Sequence, residues 1–160
     1  MVLCDGCGAS CDQEACFVVD GEQLCHRCLF GEMSPVAIYP IGLVCNNQEE
    51  ATHDFRIRAR SLVSTIELFP SQERFLYRLD EEEAITVVYY LHKSGPVKSR
   101  FKRGYDGKEV GVFASRTPYR LSKIGIQSVQ LLQVDGTTLT VEGLDAINGT
   151  PVLDIKMKWP

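Results

Sequence analysis

The chain of 160 residues has no apolar run approaching the roughly 20 residues that a membrane-spanning helix needs. It begins MVLCDGC, without the charged-then-apolar order of a secretory leader. It also lacks a G-x-G-x-x-G after a strand pattern and a phosphate-binding P-loop, which argues against the common nucleotide-binding folds. Histidine is scarce, at three residues, and no Ser-His-Asp set can be assembled from the sequence. Outside the N-terminal region only His53 and His92 remain, and both read as polar surface or strand-end positions. There is no internal repeat and no low-complexity tract. These absences lead to the expectation of a cytoplasmic, globular chain that does not enter a membrane. Its hydrophobic content of 44% and charged content of 24% are ordinary for that class.

Cysteine, by contrast, is abundant and clustered. Six of seven fall in the first 28 residues. In a reducing compartment such a set calls for an explanation other than disulfides. Cys4-x2-Cys7 and Cys25-x2-Cys28 have the spacing of a four-cysteine zinc ribbon. Each C-x-x-C turn places two thiolates on one side of a tight loop. The stretch CFVVDGEQLC between the knuckles reads as a hairpin turning at Asp20-Gly21. About 30 residues bury too little apolar surface to fold alone, so a structural zinc ion would supply much of the stability. An iron–sulfur cluster and disulfides are the competing readings. Cys11 and Cys16 do not fit the ribbon spacing; they are free thiols, or one displaces a ribbon cysteine. His26 reads as an exposed knuckle residue, and Cys45 as a small core residue. Four thiolates close a zinc shell, so the head suits contact with a partner rather than metal catalysis.

The net charge of −4 hides an asymmetry. Residues 1–34 sum to −5, whereas residues 93–123 hold nine bases against Asp106 and Glu109. The basic stretch 93–108, with Phe101 and Tyr105 interleaved, suits a phosphate backbone with stacked bases. Elsewhere the pattern is β. Strands are expected at 36–44 (bent at Pro40 and Gly42), 62–69, 84–93, 110–114, 124–134, 137–144 and 151–159, with an Asp135-Gly136 turn. A loop is expected at 46–60. A short helix is expected at 71–79, with Ser71 as cap and Phe75, Leu76 and Leu79 on one face. The fold class expected is mainly β: a small barrel of six to seven strands with one or two short helices, residues 35–160, behind a zinc-ribbon hairpin, residues 1–34.

Three stretches carry more. VGVFASRTPYR (110–120), IGIQSVQLLQVDGTTLTVEGLDAINGTPVLDIK (124–156) and the upstream STIELF and ITVVYYLHKS together resemble the TrmO/TsaA-like family of S-adenosylmethionine-dependent tRNA methyltransferases. The resemblance runs from residue 36 to about 158. It implies a small β-barrel enzyme, a homodimer with S-adenosyl-L-methionine held near the subunit interface. The substrate implied is tRNA carrying a modified adenosine beside the anticodon, which gains a methyl on its exocyclic nitrogen. The cofactor contacts implied are Arg116, Ile126, Asp145, Ala146, Ile147 and Asn148, with Ser115 and Arg120 in the same motif. The acceptor nitrogen is a poor nucleophile while protonated, so a nearby carboxylate is expected to take the proton. Asp145 and Asp154 are the candidates.

The departures from the family pattern fall in its functional motifs. Arg-Pro-Asn-Pro becomes Arg120-Leu121-Ser122-Lys123, and Asp-Gly-Thr-Pro becomes Asn148-Gly149-Thr150-Pro151. A Ser-His pair becomes Glu83-Ala84, and the ending Lys-Pro-Tyr becomes Lys156-Met157-Lys158. Three readings follow: a methyltransferase on tRNA or a related RNA, a barrel with another substrate or ligand, and a non-catalytic module binding RNA or protein.

Overall fold

The structure, a computed structural model, describes residues 1–51 and 59–159; His53 and positions 52–58 of the expected 46–60 loop lie outside them. The head opens with β1 (Val2–Leu3) against β2 (Ser10–Cys11), followed by β3 (Cys16–Val19) against β4 (Glu22–Cys25). The hairpin turns on Asp20 (φ 53°) and Gly21 (φ 89°), the two positive-φ positions that a tight two-residue turn requires. A single helical turn, α1 (His26–Phe30), then carries Cys28.

β5 (Gly42–Cys45) starts only after Pro40, so the expected strand 36–44 is confined to its last third. Pro35 and Pro40 cannot donate to a ladder, and residues 33–40 are exposed. β6 (Val63–Leu68) and β7 (Ala84–Tyr90) match expectation closely. The helix expected at 71–79 is instead a 3-10 segment, Pro70–Phe75, begun by Pro70 with Phe69 as its cap. Arg78 in the left-handed conformation breaks it from a second short turn, Leu79–Glu81. Leu76 and Leu79 pack on the core, but Phe75 is exposed.

β8 (Arg100–Lys102) pairs only with β9 (Glu109–Gly111). The strand expected at 110–114 therefore ends at Gly111 and becomes a 3-10 turn, Val112–Ala114, which buries Val112 and leaves Phe113 exposed. β10 (Ile124–Asp135) and β11 (Thr138–Glu142) turn at Gly136-Thr137, one residue later than expected, with Gly136 at φ 56°. β12 (Pro151–Met157) closes the set.

Six strands form a closed barrel in the order β10-β11-β6-β5-β12-β7, with β7 returning to β10. All of its pairings are antiparallel, and closure leaves no sheet edge open. The period of two is visible along the strands. Ile85, Val87 and Tyr89 of β7 point inward, as do Ile66 and Leu68 of β6 and Leu139 and Val141 of β11. They meet Val44, Val129, Leu144 and Val152 in one apolar cluster. Each fully buried aliphatic side chain contributes about 1.5–3 kcal/mol, so this cluster is a principal source of the barrel's stability. Cys45 is half-buried rather than in that cluster; burial, with Glu67 beside it, pushes its thiol up.

The chain forms two compact units. One is Met1–Ala37 together with Lys93–Lys123; the other is Ile38–His92 together with Ile124–Pro160. These units divide the chain at other points than the consecutive segments 1–34 and 35–160. The basic stretch between β7 and β10 groups with the cysteine-rich head. No helix among the described residues is long and apolar enough to cross a membrane.

Candidate functional site

The four cysteines of the two knuckles converge. The sulfurs of Cys4, Cys7, Cys25 and Cys28 all lie within 4.8 Å of one another. Cys4 and Cys28 are 3.7 Å apart, and Cys7 and Cys25 3.9 Å. Sulfurs at the corners of a tetrahedron about 2.3 Å from a zinc ion would be separated by about 3.8 Å, so the geometry fits that ion. The Cys25 amide donates to the Cys4 sulfur at 3.2 Å. That bond, with further amides from the first knuckle, lowers Cys4 to about 6. Cys28 is pushed up to about 12, chiefly because hydrogen bonds with the Cys25, Cys7 and Cys4 sulfurs favour its protonated form, with burial and the charge of Cys25 adding to the shift. A dication would remove that conflict and deprotonate the set.

Cys11 and Cys16 are neither free nor displacing a ribbon cysteine: their sulfurs are bonded to each other. The 3-10 turn Gln13–Ala15 folds the chain back between them. His26 is half-buried against Phe30, ring centroids 5.1 Å apart, and is not part of the sulfur cluster.

In the same unit, the turn 112–120 is locked by its own residues. The Ser115 hydroxyl donates to the Val112 carbonyl at 2.8 Å. Arg120 spreads its guanidinium over three carbonyls, those of Thr117 and Val112 at 3.1 Å each and that of Ser115. Arg120, which the resemblance places in the cofactor motif, thus supports the backbone of the turn, and Arg116 is exposed at its middle. Phe101, expected to stack on a base, is half-buried edge-on to Tyr119, with centroids 5.8 Å apart. Tyr105 remains exposed, with Arg103 over its ring.

The barrel unit presents the second group of candidate residues on the segment 143–150, between β11 and β12. This segment is pinned from several sides. Gln127 on β10 donates to the Gly143 carbonyl at 2.6 Å and accepts from the Asp145 amide at 2.9 Å. The Tyr89 hydroxyl donates to the Asp145 carbonyl at 3.1 Å. That reach depends on Gly125, opposite Tyr89, because a Cβ there would lie 2.5 Å from the ring. Asn46 donates to the Ala146 carbonyl at 2.9 Å and to the Ser64 hydroxyl at 3.0 Å, and accepts from the Gln48 amide at 3.0 Å. Ala146 and Ile147 are buried, while Ile126 on β10 is half-exposed. Asp154 sits at a bulge in β12 and is ion-paired with Lys156 at 2.5 Å. Gln127, Tyr89 and Asn46 escaped sequence reasoning. Gln127 and Tyr89 are polar groups within barrel strands, and Asn46 directly follows β5; nothing else in the sequence marks them.

Two departures from the family pattern acquire physical meaning. Lys123 lies at φ 52°, which proline cannot adopt, so a proline at 123 does not fit this entry into β10. Asn148 donates through Nδ2 to the Glu49 carboxylate at 3.0 Å and accepts from the Asn46 amide at 3.3 Å. An aspartate there could accept but would face Glu49 with like charge.

Residues 47–160 match the family described as the tRNA-methyltransferase O N-terminal domain. The chain belongs to this family. A probable S-adenosyl-L-methionine-binding protein from Archaeoglobus fulgidus is 38% identical over 110 residues, covering 69% of this chain and 30% of that protein. The human tRNA (adenine(37)-N6)-methyltransferase is 34% identical over 92 residues, covering 56% of this chain and 21% of its own. A crystal structure of TrmO from Pseudomonas aeruginosa superimposes with a TM-score of 0.66 at 28% identity, covering 81% of this chain and 58% of that one. The chain thus spans about a third or less of these two relatives and rather more than half of the TrmO structure. The match begins at residue 47, after the cysteines of the head and later than residue 36, where the resemblance in the sequence starts.

Proposed function

We propose that this chain is an S-adenosyl-L-methionine-dependent methyltransferase acting on the modified adenosine beside the tRNA anticodon, or on a related RNA. The family match over 47–160 carries the reading. Its support in the barrel is the pinned segment 143–150, where Asp145 and Asn148 are held by groups from β7, β10 and the chain after β5. Bound S-adenosyl-L-methionine supplies an electrophilic methyl group. The chain's own work is to hold donor and acceptor in line and to take the proton that the attacking nitrogen sheds. Asp145 and Asp154 are the carboxylates proposed for that second task; Asp154 also pairs with Lys156 and accepts from the Ile155 amide. Ile126, Ala146, Ile147 and Asn148 are proposed as cofactor contacts on the barrel. Ser115, Arg116 and Arg120 are proposed for the 112–120 turn, with Arg120 acting through the turn's shape.

Arg116 is exposed at the middle of that rigid turn, so truncating it removes a charged donor without unfolding its support. Arg116→Ala is expected to weaken S-adenosyl-L-methionine binding roughly 10- to 150-fold in calorimetry, the worth of a hydrogen bond to a charged group. An unchanged dissociation constant would remove Arg116 from the site. Failure of the native chain to bind at millimolar cofactor would remove the reading itself.

In the head, zinc is proposed as the resident ion, held by Cys4, Cys7, Cys25 and Cys28 without an open position. The chain is further proposed to work in the cytoplasm as a homodimer through the barrel. An apolar strip on its outer wall supports this, formed by Tyr90 opposite Ile124, with Ile126 beyond. Light scattering at micromolar concentration should give twice the chain mass, and a monomer would count against it.

A further inference from the structure

The cysteine-rich head and the basic stretch 93–123 are 60 or more residues apart in sequence, yet they belong to one unit. Their contact is specific. It uses the tip of the β3–β4 hairpin, the same hairpin that ends in Cys25. The Asp20 amide donates to the Val97 carbonyl at 3.1 Å, and Val19 bridges Val97 in parallel. The Asp20 carboxylate accepts from the Ser99 amide at 2.9 Å. The Ser99 bonds, with Arg100 and Lys98 nearby, hold that carboxyl below the usual carboxylate range, so it is charged at neutral pH. Ser99 directly precedes β8, and its carbonyl accepts from the Val112 amide at 3.0 Å. The hairpin tip therefore touches the residue from which both β8 and the 112–120 turn are organised.

β8 carries the cations. Arg100 and Lys102 alternate around Phe101, so they share one face of the ribbon, and both are exposed. Lys108 and Arg116 are exposed in the same unit. Of the two acids in this stretch, Asp106 is paired with Arg103, and Glu109 on β9 is exposed opposite Lys102, which leaves Arg100, opposite Gly111, as the uncompensated cation of the ladder. Two strands joined by three register pairs do not hold their shape in water without outside support.

We propose that the metal-loaded head is the positioning device for the β8–β9 ribbon, and that Arg100 and Lys102 on this ribbon form a phosphate-binding face for RNA whose affinity depends on occupancy of the four-cysteine site. This rests on the reading of RNA as substrate and adds the element that grips it and the ion that sets the grip. The path runs from the Cys25 knuckle along β4 to the Asp20 turn, then to Ser99 and β8. Loss of the ion frees the hairpin, and the ribbon loses its one lateral support from the head.

The test uses the full chain, zinc-loaded and chelated, with a tRNA transcript as probe and hydrogen exchange at the amides of residues 97–102 as a second readout. Chelation should raise exchange there and weaken tRNA binding about as much as Arg100→Ala/Lys102→Ala does. That double variant should lose roughly 10- to 30-fold at physiological salt, and its salt slope should shrink by about two. Asp20→Ala should keep its zinc, lose protection at Ser99 and bind tRNA more weakly, whereas Asp20→Asn, which retains the acceptor oxygen, should recover part of both. Unchanged exchange and unchanged tRNA affinity on chelation would overturn the coupling. Full affinity in Arg100→Ala/Lys102→Ala would overturn the phosphate face. Absence of tRNA binding by the loaded native chain would instead sink the RNA reading on which both stand.

Discussion

Serine at Cys4 and Cys25 together should strip the metal from the head and unfold it. Four thiolates around zinc contribute about 10–16 kcal/mol in small zinc-binding peptides, far more than a segment with only Cys4 buried among its first 34 residues can gain otherwise. Metal analysis should fall from one zinc per chain to none. Circular dichroism should retain the barrel signal, since its apolar cluster includes no head residue. The ion should also leave the native chain in acid, because thiolates must be protonated to release it. Retained zinc in the double variant, or an iron–sulfur absorption band in the native protein, would refute the assignment.

Much of this head was legible because its logic is local. A C-x-x-C turn and an Asp-Gly hairpin are written within a few residues, and the repeated spacing of the two knuckles marks the four sulfurs that converge. The barrel strands were legible for a related reason: Ile85, Val87 and Tyr89 alternate with half-buried or exposed neighbours over one strand. What the sequence hid are polar contacts between distant residues. Nothing near Asp20 announces Ser99, 79 positions on. Arg120 carries the same charge as Arg116, and only the positions of three carbonyls separate a scaffold from a surface cation. The strand at 110–114 failed because Val110 and Val112 satisfy the strand pattern while the backbone turns between them. The helix at 71–79 failed because Pro70 and a left-handed Arg78 set the local geometry more strongly than the apolar spacing did.

The second large effect is expected at Asn46. Its amide holds the Ala146 carbonyl, the Ser64 hydroxyl and the Gln48 amide, linking the chain after β5 to the segment 143–150. Asn46→Ala removes all three bonds and leaves Ser64, which is buried, without this donor. At about 1 kcal/mol each, the loss should be about 3 kcal/mol, or roughly 6–12 °C in Tm for a chain of this size. Cofactor binding should fall by at least the factor expected for Arg116→Ala, because Asp145, Ala146, Ile147 and Asn148 lose their common support. Asn46→Asp keeps the acceptor but not the donors, so it should lie between. A variant with native Tm and native calorimetric affinity would show that the segment is held by Gln127 and Tyr89 alone.

The insertion of 91–123 between two paired barrel strands bears on how the barrel assembles. Tyr90 and Ile124 face each other in the ladder, so the seam cannot form until the whole excursion has returned. The excursion shortens its own path. The Lys98 amide donates to the Tyr119 carbonyl, and the Lys98 ammonium and Phe101 both lie against the Tyr119 ring. Once those contacts form, the chain left to search is only the short arms on either side. By loop-closure statistics, reducing the free length about threefold lowers the entropic cost of closure by about 1 kcal/mol. A folded excursion thus acts as a splint for the seam, quickening the meeting of β7 and β10, with Leu91 at its start packed against the barrel's apolar cluster.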